Sequence, residues 1–466
     1  MESFNQVATT VDARLQKEIT WDASQYDDSF VRSTIEKLLS RPLTPETAVE
    51  VALLNNRELQ STYADLGIAQ ANVVQAMLWK NPILDGMVTQ PYKGGTPDYG
   101  FNLALSVIDI LYVPLRKGVA ESQLEETKLQ VTAHVLNLAA QTYLAIVDYL
   151  SEKQRVGVFA EAVESARQIV ESAKVRREAD DNSADYDFEE KAVHYVRAKA
   201  ELARAKTRVV QARERINQIL GLTGPQIQWR SAERLPSIPA RDPLAAHLED
   251  KAIEASFDLS IMRQRLVTLG RKYQVVDVTS LLPQLDVGGM ATRVNEVDQA
   301  GPSFRAEVPL FDWGQARRQA AQMEILKARD EFTAVVVHVH SLAHLHQTRL
   351  LSARQITLYY ADNVVPQSRR LLDAAKRKYD AMQLGVLELL VAEETHVRAS
   401  LDHITALTEY WHERARLAQM LSGKLPEEAE YGEASEVSGA LIRPVQSSQS
   451  NANQRSRPMM TFPNGS

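Results

Sequence analysis

The sequence predicts a mainly α-helical chain with a small β part, built as a two-fold internal repeat of long coiled-coil helices with four strands. Three observations predict it. Proline and glycine are almost absent from two long stretches, Leu115–Gly224 and Gly314–Gly423, and gather at 82–100 and 283–314. Matching residues recur at one offset of 201 positions: Pro82 and Pro283, Asp85 and Asp286, Val196-Arg197-Ala198 and Val397-Arg398-Ala399, Gln218 and Gln419. A shared offset at both ends of a segment is the mark of a duplication. Finally, the Gly/Pro-rich stretches carry apolar–polar alternation of period two, which belongs to strands.

Each half reads in the same order. A first helix covers about 46–80 and again 246–280. Two strands follow, about 83–91 and 100–111, then 284–294 and 302–311. A long helix covers about 116–178 and 315–378, close to 95 Å at about 1.5 Å per residue. A turn and a last helix, about 186–221 and 386–422, close each half. The chain divides as an N-terminal segment 1–45, a first repeat 46–222, a connector 223–245 with four prolines, a second repeat 246–425 and a tail 426–466. That tail is rich in Ser, Asn and Gln and is expected to be disordered.

The long helices carry two apolar stripes. Leu124, Val131, Leu138 and Ala145 are seven apart, and so are Leu129, Leu136, Tyr143 and Leu150. One seam suffices for a two-stranded coiled coil. Two seams let a helix pack on both sides, as a wall of helices requires. In the strands, Phe101, Leu103, Leu105 and Val107 oppose Asn102, Ala104 and Ser106, while Phe304, Ala306, Val308 and Leu310 oppose Arg305 and Glu307. That pattern fits a sheet with lipid on one side and water on the other. Four strands cannot close a barrel, since about eight are needed, and open edges cannot face lipid. Strands in a membrane would therefore have to be pooled among several copies.

Composition removes other classes. The net charge is −7, which offers no basic surface for nucleic acid. There is no cysteine, so disulfides and thiolate chemistry are excluded. No Ser-His-Asp motif, P-loop, HExxH or dinucleotide fingerprint occurs, so neither an enzyme nor a cofactor is expected. No run approaches the roughly 20 apolar residues of a spanning helix. The opening MESFNQVATTVDARLQKEITW lacks the basic start and apolar stretch of a signal peptide. That absence motivates the alternative of a soluble coiled-coil scaffold, and if the strands do lie in a membrane it predicts an export signal encoded upstream of Met1.

Several segments together carry a family resemblance. TPETAVEVALLNNRELQSTYADLGIAQANVVQA, leading to Asn81-Pro82, resembles the opening helix of the TolC-like outer-membrane efflux proteins. VPLFDWGQARRQAAQ, from Val308 to Gln322, resembles their strand-to-helix junction. YDAMQLGVLELLVAEE at 379–394 resembles their second hairpin turn and return helix, and RINQILGL and ARLAQMLSG resemble the closing helices. The resemblance covers about 45–425. It implies a homotrimer in which three protomers pool four strands each into a 12-stranded outer-membrane β-barrel, continued by a periplasmic α-barrel. It further implies a passive duct, lipid around the barrel, and partnership with a periplasmic adaptor and an inner-membrane pump.

The resemblance also directs attention to the helix tips. The first tip holds Glu178, Asp180, Asp181, Asp185 and Asp187, candidates for an acidic, cation-favouring pore constriction. The second holds Arg377, Lys378, Tyr379, Leu384 and Gly385, candidates for adaptor docking. Solvated turn residues and helix capping are the structural alternatives at these two tips. In VHVHSLAHLH, His340 and His344 share a helix face at a spacing that can bind a transition metal. No carboxylate completes that pair at matching spacing, so no metal site is expected there.

Overall fold

The computed structural model describes residues 2–21, 28–90, 92, 94–179, 184–242, 247–281, 283–294 and 296–427. Two N-terminal helices, α1 (Glu2–Leu15) and α2 (Asp28–Leu39), precede the first repeat. That repeat runs α3 (Pro45–Asn55), α4 (Arg57–Met77), β1 (Ile83–Thr89), β2 (Asp98–Ser106), α5 (Val107–Ala179) and α6 (Ala184–Leu220). The second runs α7 (Leu248–Ala255), α8 (Phe257–Leu281), β3 (Leu285–Val294), β4 (Val297–Ala306), α9 (Gln315–Tyr359), α10 (Val365–Asp380) and α11 (Val386–Ser422). The order of elements therefore recurs, as the duplication requires.

The opening helix of each repeat is broken once, at the same place, where the sequence suggests continuous helices over 46–80 and 246–280. Asn56 sits at φ −67°, ψ 118°, and Ser256 at φ −62°, ψ 116°. Each side chain restarts the helix beyond it. The Leu59 N–H donates to Asn56 Oδ1 at 2.8 Å, and the Leu259 N–H donates to Ser256 Oγ at 3.2 Å. Asn and Ser favour such caps because their side-chain acceptors replace a missing helical carbonyl.

These breaks receive the ends of the closing helices. Gly221 follows α6 at φ +64° and Gly423 follows α11 at φ +112°, both left-handed C-caps suited to glycine. A Cβ on Gly221 would lie 2.7 Å from the Asn55 carbonyl, and one on Gly423 would lie 2.4 Å from that of Ala255. The freed carbonyls of α6 are satisfied by side chains: Asn55 Nδ2 donates to Leu220 O and Gly221 O, and Asn56 Nδ2 to Ile219 O, at 2.8–2.9 Å. In the second repeat the Phe257 N–H donates to Gly423 O at 2.7 Å.

α5 is the spine. Its 73 residues amount to about 110 Å of helix at 1.5 Å per residue. Both predicted stripes are used. Leu124 packs with Ala69 and Val73 of α4, and Val131 with Tyr63 and Leu66. Leu136, on the other stripe, meets Phe257 of α8. In the second repeat, helix runs unbroken from α9 to α10 through a π-helical turn, Tyr360–Val364. Pro366 lies just beyond, and its missing N–H explains the widened turn.

The main core lies where the middle of α5 (Ala145–Leu150) meets α3, α7, α9 and the end of α11. The connector is pinned onto it. Trp229 is buried, donates to Asn217 Oδ1 at 2.8 Å, lies edge-on to Tyr149 and carries the Arg213 guanidinium 4.6 Å over its ring. Asp242 accepts from Tyr410 OH at 2.5 Å and from Arg354 at 2.9 Å, with Arg414 at 3.5 Å. The N-terminal segment also joins the fold, since Val7 and Val11 of α1 are buried against α4 and α5. Among the described residues no helix is long and apolar enough to cross a membrane.

Candidate functional site: the sheet, its junctions and the helix tips

The four strands form one antiparallel sheet in the order β1-β2-β3-β4. The two repeats therefore meet at its centre, where Phe101 opposes Ala291 and Leu103 opposes Gly289. The register sorts residues by chemistry. One face collects Leu84 and Val88 from β1, Tyr99, Phe101, Leu103 and Leu105 from β2, Val287 and Ala291 from β3, and Ala300, Pro302 and Phe304 from β4. Its only charges, Arg293 and Asp298, oppose each other at one end and pair at 3.1 Å. The opposite face is mixed: it collects Asp85, Asn102, Ser106, Asp286, Thr292, Gln299, Ser303 and Arg305, with Ile83, Met87, Met290, Val294 and Val297 among them. There Ser303 Oγ donates to Asn102 Oδ1 at 2.7 Å, across the same 201-residue offset.

The apolar face is bare. Leu103 is 53% exposed, Leu84 68% and Phe304 83%. A contiguous bare apolar face is rare on a water-soluble surface and marks contact with lipid or protein. Both sheet edges, β1 and β4, lack a partner strand among the described residues.

Two strand boundaries differ from the sequence reading. β2 stops at Ser106, and Val107 begins α5 directly, so Val107 belongs to the helix and the strand covers 98–106 rather than 100–111. The apolar run VIDIL satisfies either period, and a short run of that kind cannot discriminate. β4 covers 297–306 rather than 302–311, which places Val308 and Leu310 in the link that follows. Pro309, with no N–H to give to a ladder, marks where pairing ends.

That link ends at Gly314, the residue before α9. Gly314 has φ +74°, and a Cβ there would fall 2.0 Å from Ser280 Oγ on α8. The glycine of the FDWGQARR motif thus allows both a left-handed turn and a close approach of the start of α9 to Ser280 of α8. Asp312 accepts from the Gly314 N–H at 2.7 Å and from Arg317 at 3.2 Å, while Arg318 reaches Asp277 at 3.3 Å. Phe311 (92% exposed), Trp313 and, from the first repeat, Trp79 project outward at the sheet–helix junction. Aromatic side chains of this kind populate membrane–water boundaries.

At the far ends of the long helices, Asp180 and Asp181 lie outside the described residues. Asp185 and Asp187 fall within the first turn of α6, and Glu178 within the last turn of α5, but the side chains of all three lie outside the described set. The second tip is fully described. Arg377 and Lys378 are exposed at the end of α10. Tyr379 is buried, its ring packed with Ile169, Leu372 and Leu389 and facing Lys191 Nζ at 5.9 Å, so it braces the tip from within. Leu384 packs on the same cluster, and Gly385 stands exposed immediately before α11. Met382, 82% exposed at φ +56°, crowns the turn.

The histidines divide. His340 is exposed, and His344 Nδ1 lies 3.4 Å from Glu249. His346 is buried instead, with Nδ1 2.6 Å from Glu413 Oε2, while Arg416 meets the other carboxylate oxygen at 2.6 Å. Burial pushes the Glu413 carboxyl up, but hydrogen bonding and charge from His346 and Arg416 outweigh it, and the net shift is below the usual range. Among the described residues no group of three or more His, Asp or Glu converges as on a metal ion. Sequence inspection passes over Asp242, Glu393 and Glu413, because a buried carboxylate is recognisable only once its partners are assembled from distant segments.

No protein-family model matches the chain. Among curated proteins it is similar to the cobalt-zinc-cadmium resistance protein CzcC of Cupriavidus metallidurans, 23% identical over 384 residues, which cover 82% of this chain and 90% of that protein. Among solved structures it is similar to the outer-membrane channel OprN, with a TM-score of 0.68 and 17% identity over 86% of this chain and 94% of that one. A membrane protein from Pseudomonas aeruginosa aligns with a TM-score of 0.66 and 18% identity, over 82% and 90% of the two chains.

Proposed function

We propose that this chain, whose fold is that of the TolC-like outer-membrane efflux channels, is one protomer of a homotrimeric export duct. Its sheet supplies four of the strands of a 12-stranded barrel in the outer membrane, and its long helices continue the duct through the periplasm. The carrying observation is the sheet itself: a bare apolar face, a face behind it that carries nearly all the strands' polar side chains, and two open edges. Lipid covers the first, the water-filled lumen wets the second, and neighbouring copies close the third. The soluble scaffold alternative leaves that apolar face in water and the edges unpaired, a combination that aggregates.

A duct supplies a path and no energy, so transport is passive here and is driven by a partner pump in the inner membrane through a periplasmic adaptor. The exposed Arg377, Lys378 and Gly385 at the second tip suit adaptor contact, with Tyr379 and Leu384 shaping the turn from inside. The carboxylates of the first tip, Asp180, Asp181, Asp185 and Asp187, fit an acidic constriction when repeated three times about an axis. CzcC is named for cobalt, zinc and cadmium resistance, and divalent cations suit such an acidic entrance.

The test is expression behind an export signal, followed by membrane fractionation and electrophoresis with and without heating. A heat-labile trimer in the outer membrane and ion conductance in planar bilayers are expected. A soluble monomer that never inserts would refute the reading.

A further inference from the structure

Near the second tip a cavity of about 560 Å³ opens between α5, α10 and α11, lined by Ser165, Arg369, Lys376, Glu393 and His396 among others. Glu393 is only 3% exposed, yet among the described residues neither carboxylate oxygen accepts a well-formed hydrogen bond. Leaving a buried carboxyl without a compensating charge costs several kcal/mol, and burial accordingly raises the Glu393 carboxyl above its usual range, although the Ser165 hydroxyl, His194 and Lys376 each pull it down.

Beside it stands His194 of α6, whose Nε2 lies 3.9 Å from Glu393 Oε2. Two other histidine–carboxylate pairs in this chain are in direct contact: His346–Glu413 at 2.6 Å and His412–Asp148 at 2.8 Å. The His194–Glu393 gap is too long for a hydrogen bond. It is close to the separation of two ligands on one ion, since metal–nitrogen and metal–oxygen bonds of about 2.0–2.2 Å place tetrahedral ligands roughly 3.4 Å apart.

We infer that Glu393 and His194 form a two-ligand site for a divalent transition-metal ion, bridging α6 of the first repeat and α11 of the second, with water from the cavity completing the coordination. One imidazole nitrogen, one carboxylate oxygen and no thiolate suit a borderline ion such as Zn²⁺ or Co²⁺. His396, one turn along α11, lines the same cavity; its Nδ1 is engaged with Ser368 Oγ at 3.0 Å, which leaves Nε2 for a bound water. The surrounding charges nearly balance: Glu161 and Glu164 of α5 against Arg369 and Lys376 of α10, with Glu164 also paired to Arg167. The ion thus supplies the compensating charge that Glu393 lacks.

The site does not depend on the export reading, because it is measured on purified full-length protein in detergent. Zn²⁺ added to chelator-treated protein is expected to raise Tm in the wild type and in a His340→Ala/His344→Ala control. The same addition leaves Glu393→Gln and His194→Ala unshifted. Co²⁺ should give visible d–d absorption in the wild type and lose it in both site variants. Binding should strengthen from pH 5 to pH 8, as the ligands shed protons. Equal Zn²⁺ shifts in the wild type and Glu393→Gln, or no Co²⁺ spectrum at all, would overturn the proposal and leave the pair bridged by water alone.

Discussion

Leu103 and Asn102 are neighbours in β2 that the pleat sends to opposite faces, and a single arginine placed at either position separates the membrane reading from every soluble one. Leu103 lies mid-strand between Leu84 and Gly289. An arginine facing lipid near the bilayer midplane costs about 2–4 kcal/mol per copy. Three symmetry-related copies bring this to about 6–12 kcal/mol per trimer, comparable to the whole stability of many proteins. Asn102→Arg instead projects into the lumen. It forfeits the hydrogen bond from Ser303, about 1 kcal/mol, and gains a watery environment. Trimer yield in outer-membrane fractions, read on unheated gels, and urea titration of refolding into vesicles both report the difference. Leu103→Arg should abolish assembly while Asn102→Arg assembles nearly as the wild type does. Equal loss at both positions, or greater loss at Asn102, would refute the assignment of the faces.

Other consequences are equally open to measurement. Asp242→Ala strands the Arg354 and Arg414 charges and the Tyr410 hydroxyl around a buried site, and should cost about 3–5 kcal/mol in urea unfolding. Gly314→Ala combines a left-handed backbone with a Cβ 2.0 Å from Ser280 Oγ, and should lower Tm and trimer yield, with only partial rescue by Ser280→Gly because the backbone strain of about 1–3 kcal/mol persists. Glu413 and Glu393 should respond to pH with opposite signs. The Glu413 carboxyl is held below its ordinary value, so its stabilisation is complete above about pH 4.5 and is lost as pH falls further. The Glu393 carboxyl is raised, so its penalty grows as pH climbs above that range. In the presence of chelator, Glu393→Gln should therefore raise Tm at pH 7 and leave it unchanged at pH 4, whereas Glu413→Gln should lower it at pH 7.

The repeat was legible because punctuation survives in a sequence. The proline and glycine clusters at 82–100 and 283–314 bracket the strands, and the two heptad stripes on α5 point to the two sides that α4 and α8 occupy. What escaped notice has physical reasons. The breaks at Asn56 and Ser256 need only one polar residue whose side chain replaces a carbonyl, and such residues are common in unbroken helices too. The start of α5 at Val107 is hidden because VIDIL suits either period. At the candidate site, exposed tip residues such as Arg377 could be named from their position, whereas the burial of Tyr379 and the His194–Glu393 pairing join residues far apart in the chain. No periodicity connects those positions.

The strand order has a consequence for how such a wall can arise. β2 and β3 join one repeat to the next inside a chain, and in the proposed ring β4 meets β1 of a neighbour by the same kind of antiparallel seam. Covalent and non-covalent joints then alternate around the circumference while doing the same mechanical job. An ancestral half-length polypeptide could have built the ring from twice as many pieces. Fusing such pieces in pairs halves the joints left to diffusion.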